Sequence, residues 1–218
     1  MSLRDRLTGR HVEASAARGK ASHSTNGAGR DAERGDGHES TRDATRDVKA
    51  DDVLVIGPMK KSHIDAIMPI ETSVYPRPWT PGVFADELRE MVRGTRHYLV
   101  AHLGKRLVGY AGMIYMQDGA HVTNIAVDPG ERRRGIATEL LLDLAWEARR
   151  TGADAMTLEV RDSNRPAQEL YRRFGFVPVG VRPKYYENRD DAVVMWCHDL
   201  QSADVAARLR EIEQSRPQ

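Results

Sequence analysis

The sequence predicts a single mixed α/β domain behind a disordered, charged N-terminal tail. Two observations carry that prediction. Residues 1–52 hold ten basic and ten acidic side chains, no aromatic residue, and only Met1, Leu3, Leu7, Val12 and Val48 as large apolar groups. Such a stretch cannot bury enough apolar surface to offset a backbone ordering cost of ~1–2 kcal/mol per residue. From Val53 onward, short apolar runs bounded by Gly, Pro and Asp alternate with segments of helical spacing, and no internal repeat divides them. The expected organisation is therefore a tail over 1–52, one ordered domain over 53–199, and a C-terminal tail over 200–218.

Val53-Leu54-Val55-Ile56, closed by Gly57-Pro58, reads as the first strand. Ser62 is placed to cap a helix carrying Ile64, Ile67 and Met68, which Pro69 would bend or end. Thr80-Pro81 opens a second helix, with Phe84, Leu88 and Met91 or Val92 at helical spacing. Residues 97–102 and 106–116 read as strands joined at Gly104-Lys105. Residues 121–127 form another, ended by Asp128-Pro129-Gly130. A helix follows from 134 to about 150, striped by Ile136, Leu140 and Leu144 and stopped at Thr151-Gly152.

Residues 155–160 form a strand with Met156, Leu158 and Val160 on one face and Thr157 and Glu159 on the other. Asn164 can cap the next helix, whose Ala167, Leu170, Tyr171 and Phe174 follow a helical period up to Gly175. Residues 176–181 and 192–197 read as closing strands. Val205, Leu209 and Ile212 suggest a short amphipathic helix or a frayed end.

The 33 Lys+Arg against 32 Asp+Glu leave a formal net charge of +1, which argues against a generic polyanion binder such as a nucleic-acid protein. A single cysteine, Cys197, excludes an intrachain disulfide and a cysteine-cluster metal site. His63, His97, His102 and His121 lack ligand spacing, so no metal is expected. The densest apolar run, Leu140-Leu141-Leu142, is far short of the ~20 residues that span a bilayer, and no secretory apolar region opens the chain. A soluble, cytoplasmic protein is expected.

The most informative stretch runs from Asn124 to Ala137. A strand turns into a helix whose start combines Arg132, Arg133 and Arg134 with Gly135 and the small Ala137. The first N–H groups of a helix have no internal partner, and its dipole adds positive potential there. Gly135 and Ala137 would let a phosphate chain approach the backbone, so the stretch suits a diphosphate. It has neither the G-x-G-x-x-G of dinucleotide folds nor the G-K-[ST] of a P-loop. A solvated basic turn, or a patch for nucleic acid, is the competing reading.

Arg132-x-x-Gly135-x-Ala137 fits the acetyl-CoA pyrophosphate signature Q/R-x-x-G-x-G/A, and here the chain resembles the GNAT acyltransferase superfamily. Leu158-Glu159-Val160-Arg161-Asp162-Ser163-Asn164, Leu170-Tyr171, Phe174-Gly175-Phe176, Tyr185-Tyr186 and Pro78-Trp79 are similar to its RimI branch. That branch acetylates the N-terminal alanine of protein eighteen of the small ribosomal subunit. The resemblance covers roughly Val53 to Leu200. It implies a GNAT fold, a mixed and mostly antiparallel sheet flanked by helices, with acetyl-CoA as co-substrate.

By that resemblance Glu159 is the base, Tyr171 the proton donor, and attack is direct within a ternary complex. Without it, Glu159 would pass as a solvent-facing strand residue and Tyr171 as core. A phenol near pKa ~10 is matched to a thiol leaving group, whereas an ordinary carboxylate near ~4.3 is a weak base. The resemblance assigns the cofactor to Arg132, Arg133, Arg134, Gly135, Ile136, Ala137, Thr138 and Asn164. It adds the backbone of Ile125, Ala126 and Val127, where the strand is expected to splay from its neighbour. Trp79, Tyr185 and Tyr186 are candidates to line a peptide groove. At pH 7 an α-amine of pKa ~8 is about 10% neutral and a lysine of ~10.4 about 0.04%, which favours a protein N-terminus as acceptor. A GNAT acting on lysines or small amines, and a CoA-binding regulatory module without turnover, are the alternatives.

Overall fold

The computed structural model describes residues 53–117 and 119–215. The expected 1–52 tail lies outside the described residues. Seven strands form one sheet in the order β1-β2-β3-β4-β5-β7-β6. They are β1 (Leu54–Pro58), β2 (Arg96–Leu103), β3 (Arg106–Met116), β4 (Gly119–Val127), β5 (Ala155–Arg161), β6 (Val177–Tyr186) and β7 (Asp190–Cys197). The helices are α1 (Ile64–Val74), α2 (Pro81–Val92), α3 (Ile136–Arg150), α4 (Arg165–Arg173) and α5 (Ala203–Gln214). All neighbouring strands run antiparallel except β4 and β5, which are parallel.

Strand alternation separates two cores, one on each face of the sheet. Leu99, Ala101 and Leu103 of β2 pack with Leu140, Leu141 and Leu144 of α3. Tyr98 and Val100 of the same strand pack on the other face with Ile67 and Ile70 of α1 and Phe84 of α2. Gly112 of β3 is required by this packing, because a Cβ there would run into the Tyr98 ring.

Several helix boundaries differ from the sequence expectation, each for a local reason. Lys61–His63 forms a 3-10 turn, so His63 rather than Ser62 precedes α1. Pro69 does not end α1, since Ile64, Ile67, Ile70 and Val74 are all buried and hold the helix through it. Thr80 caps α2 as expected, accepting from Val83 N. Helix α3 begins at Ile136, because Gly135 adopts a left-handed φ of 79°. Beyond residue 199 the short amphipathic helix, one of the two expected outcomes, forms as α5 and buries Val205, Leu209 and Ile212. Arg149 of α3 also donates to the carbonyls of Leu200 and Ser202, so the domain extends to Ser215.

Candidate active site

The site starts from a fork in the sheet. β4 and β5 pair only at Gly119–Ala155, Ala120–Met156 and His121–Thr157. Beyond that rung both strands continue, β4 to Val127 and β5 to Arg161, without pairing. A bulge assists the departure: Gly112 faces Asn124 while Met113 faces Val122, leaving Thr123 as the extra residue on β4. The N–H of Asp128 donates to Val108 of β3 at 2.8 Å. By antiparallel alternation Ala126 also bonds to β3, so Ile125 and Val127 turn their N–H and C=O toward the fork. One of these groups has a partner, since the Tyr75 hydroxyl donates to Ile125 O at 3.2 Å.

At the end of β4 the chain winds through Arg132, Arg133 and Arg134 into α3. Arg133 (φ 66°) and Gly135 (φ 79°) are left-handed, the alternation that forms anion-binding concavities. Nothing lies within 4 Å of a Cβ built on Gly135, so its backbone opens onto free space. That space is a cleft of about 960 Å³ between the first turns of α3 and α4. It is lined by Arg132 to Thr138 and Val127, by Arg165, Leu170 and Arg173, and by Ile212 and Ser215 of α5. The three arginines are not equivalent. Arg134 donates to Glu131 at 2.8 Å, and Arg106 holds the other oxygen of that carboxylate. The buried Nε of Arg132 has no hydrogen-bond partner among the described residues. An orphaned guanidinium N–H, unpaired helix N–H groups and an open glycine backbone together fit a diphosphate.

Asn164 sits at the start of α4, where its Oδ1 accepts from Ala167 N at 3.3 Å. Gln168 ties this helix to the end of β5 by donating to the carbonyls of Arg161 (3.1 Å) and Asp162 (2.9 Å). Tyr171 of α4 is fully buried, its ring centroid 5.9 Å from that of Phe176.

Glu159 is on β5, one alternation past the last rung. The alternative of an ordinary solvent-facing strand residue does not hold, because its residue exposure is only 5%. β6 folds over it: Arg182 Nη2 approaches Oε1 at 3.3 Å, and His121 Nε2 of β4 approaches Oε2 at 3.2 Å. Tyr185 and Tyr186 complete the enclosure at the end of β6, with ring centroids 5.2 Å apart. Burial pushes the Tyr185 phenol above its ordinary value, and the Glu159 charge adds to this. Burial likewise raises Tyr186, with further contributions from Tyr185, Glu159 and Tyr171. Both phenols are thus held protonated and able to donate. Glu159, Tyr171, Tyr185 and Tyr186 therefore share one electrostatic neighbourhood beside the fork.

Trp79 is elsewhere. It is 2% exposed, with its ring tilted against that of Phe84 in the core beneath α1 and α2 and its backbone N–H donating to Glu71. It packs in the core with Phe84 and Tyr110. His121 is the residue that the sequence left without a task. Only the register of β4 on β5 reveals it, by placing it on the face that carries Glu159.

Residues 64–176 match the model of the acetyltransferase (GNAT) family. The chain belongs to that family. A Bacillus subtilis protein provisionally named a ribosomal protein bS18-alanine N-acetyltransferase is 39% identical over 139 residues, covering 63% of this chain and 91% of the relative. The ribosomal protein bS18-alanine N-acetyltransferase of Escherichia coli K12 is 32% identical over 145 residues, covering 64% and 94%. The crystal structure of the ribosomal-protein-S18-alanine N-acetyltransferase from Escherichia coli superposes with a TM-score of 0.62 at 29% identity, covering 67% of this chain and 94% of that one. The GNAT fold, with its forked, mostly antiparallel sheet, is the expected one. Among the described residues no helix is long and apolar enough to cross a membrane.

Proposed function

We propose that this GNAT protein transfers acetyl from acetyl-CoA to the N-terminal α-amine of a protein, foremost the N-terminal alanine of ribosomal protein bS18, by direct attack in a ternary complex. The observation that carries the reading is the fork between β4 and β5, which opens toward the Arg132–Thr138 cleft at one end and has Glu159 at its apex. The names of the relatives support the acceptor.

Acetyl-CoA supplies an activated acetyl thioester. Arg132, Arg133 and the N–H groups of Ile136, Ala137 and Thr138 hold its diphosphate, while Arg134 braces the loop through Glu131. The fork-facing backbone groups of Ile125 and Val127 orient the pantetheine and the thioester carbonyl, as donors aimed at developing oxyanion charge do. Glu159 removes a proton from the acceptor amine, directly or through one water. Tyr171 gives its phenolic proton to the departing sulfur, and Tyr185 and Tyr186 enclose the acceptor terminus.

Mass spectrometry of a peptide panel incubated with acetyl-CoA tests this. Peptides beginning with alanine and containing an internal lysine should be labelled at the α-amine, and N-terminally blocked copies should not be labelled. Exclusive ε-amine labelling would transfer the assignment to lysine. Tight acetyl-CoA binding without labelling of any amine, small amines included, would indicate a regulatory module.

A further inference from the structure

His121 and Thr157 form the last rung before β4 and β5 separate. As register partners they share a face of the sheet, and Glu159 lies two residues on from Thr157 on that same face. His121 bridges the two: Nδ1 is 2.8 Å from Thr157 Oγ1, and Nε2 is 3.2 Å from Glu159 Oε2. An ionised carboxylate only accepts hydrogen bonds, so the ring nitrogen facing it carries the hydrogen. In the neutral ring Nδ1 is then the acceptor, and the Thr157 hydroxyl donates to it. Thr157 thus fixes the tautomer that Glu159 requires.

The two partners of Glu159 differ in permanence. The Arg182 side chain is 49% exposed and also lies over the Tyr185 ring, 5.5 Å from its centroid, so it can move aside for an arriving amine. The His121 side chain is 17% exposed and anchored at both nitrogens. Past the rung no β4 backbone braces the Glu159 side of β5, so the imidazole is the fixed contact on that flank. We propose that His121 is a positioning residue for acetyl transfer, holding Glu159 by Nε2–H in the orientation from which Oε1 meets the acceptor amine, with Thr157 selecting the tautomer. The inference rests on Glu159 acting as the base.

The test compares His121→Leu, His121→Gln, Thr157→Val and Glu159→Gln on an alanine-starting peptide. Glutamine can present an N–H where Nε2 stood; leucine cannot. His121→Leu should lower kcat about 10- to 100-fold, the loss of one hydrogen bond to a charged group, with KM for acetyl-CoA unchanged. His121→Gln should recover most of that loss, and Thr157→Val should show the same kcat-only effect in smaller measure. Parental kcat in His121→Leu overturns the inference, as does a glutamine variant as slow as the leucine variant at equal thermal stability. Should leucine prevent folding, parental kcat in Thr157→Val overturns it instead. Full activity of Glu159→Gln would overturn the base assignment and this inference together. An inactive Glu159→Gln beside a parental His121→Leu would overturn this inference alone.

Discussion

The guanidinium of Arg161 lies 4.3 Å over the centre of the Tyr186 ring and donates from there to Glu187 at 2.6 Å and Asp190 at 2.7 Å. Arg161 follows Glu159 by two residues on β5, while its partners belong to the β6–β7 hairpin. The strand that carries Glu159, the proposed base, therefore also clamps the hairpin that closes over it.

Arg161→Leu should loosen that clamp. It leaves two carboxylates without their cation and Tyr186 without its cover, at a cost of about 2–3 kcal/mol. Urea unfolding reads the loss, and kcat/KM for the peptide should fall with it because the hairpin also positions Tyr185. An unchanged midpoint would show that the clamp contributes nothing.

Two glycines should respond to alanine in opposite ways. Gly112→Ala drives a methyl into the Tyr98 ring and should cost about 1–3 kcal/mol of stability without altering acetyl-CoA affinity in the folded fraction. Gly135→Ala meets no side chain but must hold φ near 79°, a strain of about 1 kcal/mol. Because Gly135 borders the cleft, its substitution should weaken acetyl-CoA binding more than it lowers the melting temperature. Calorimetric titration and thermal unfolding on the same samples separate the two.

Glu131 couples the cleft to pH. The Arg106 guanidinium first, and Arg134 after it, hold its carboxyl below the ordinary value of 4.5. A carboxyl depressed in the folded state binds protons less readily than in the unfolded chain. Its contribution to stability is therefore complete above pH 4.5 and is lost as pH falls through the lower folded value. Glu131→Gln should flatten this part of the acid limb in a melting-temperature profile while leaving the profile's shape above it unchanged. An acid limb identical to the parent's would contradict the coupling.

Cys197 should report unfolding. Its residue exposure is 1%, and burial pushes its thiol above the ordinary value. Iodoacetamide labelling at neutral pH should be negligible in the folded protein and should rise along the urea transition. Rapid labelling without denaturant would refute the burial of Cys197 in the core that it shares with Phe174.

The sequence made the elements legible wherever one face is apolar and the ends carry strong signals. Thr80-Pro81, the α3 stripe and the Asn164 cap all fall as expected, because local chemistry alone sets them. The fork was legible only through the family resemblance, since residues 121–127 alternate identically whether or not a neighbour pairs with them. Glu159 reads as exposed because its own strand does not reveal that β6, reaching it through β7, lays Arg182 and Tyr185 across that face. The roles of Arg132 and Arg134 diverge for a similar reason. Glu131 and Arg106, not the triplet itself, decide which guanidinium is engaged. Trp79 shows the converse: an aromatic beside a loop proved to be core, fixed by Glu71 and Phe84 from segments flanking it.

In the proposed reaction Glu159 at the apex of the fork serves the chemical step while the Arg132–Thr138 cleft serves acetyl-CoA. This division of labour is tested by kcat on an alanine-starting peptide together with the acetyl-CoA dissociation constant, both measured for Glu159→Gln. The expected result is a kcat lowered about 10²- to 10⁴-fold, the range of a lost general base, at an unchanged dissociation constant. A parental kcat, or a loss explained entirely by weaker acetyl-CoA binding, would contradict it.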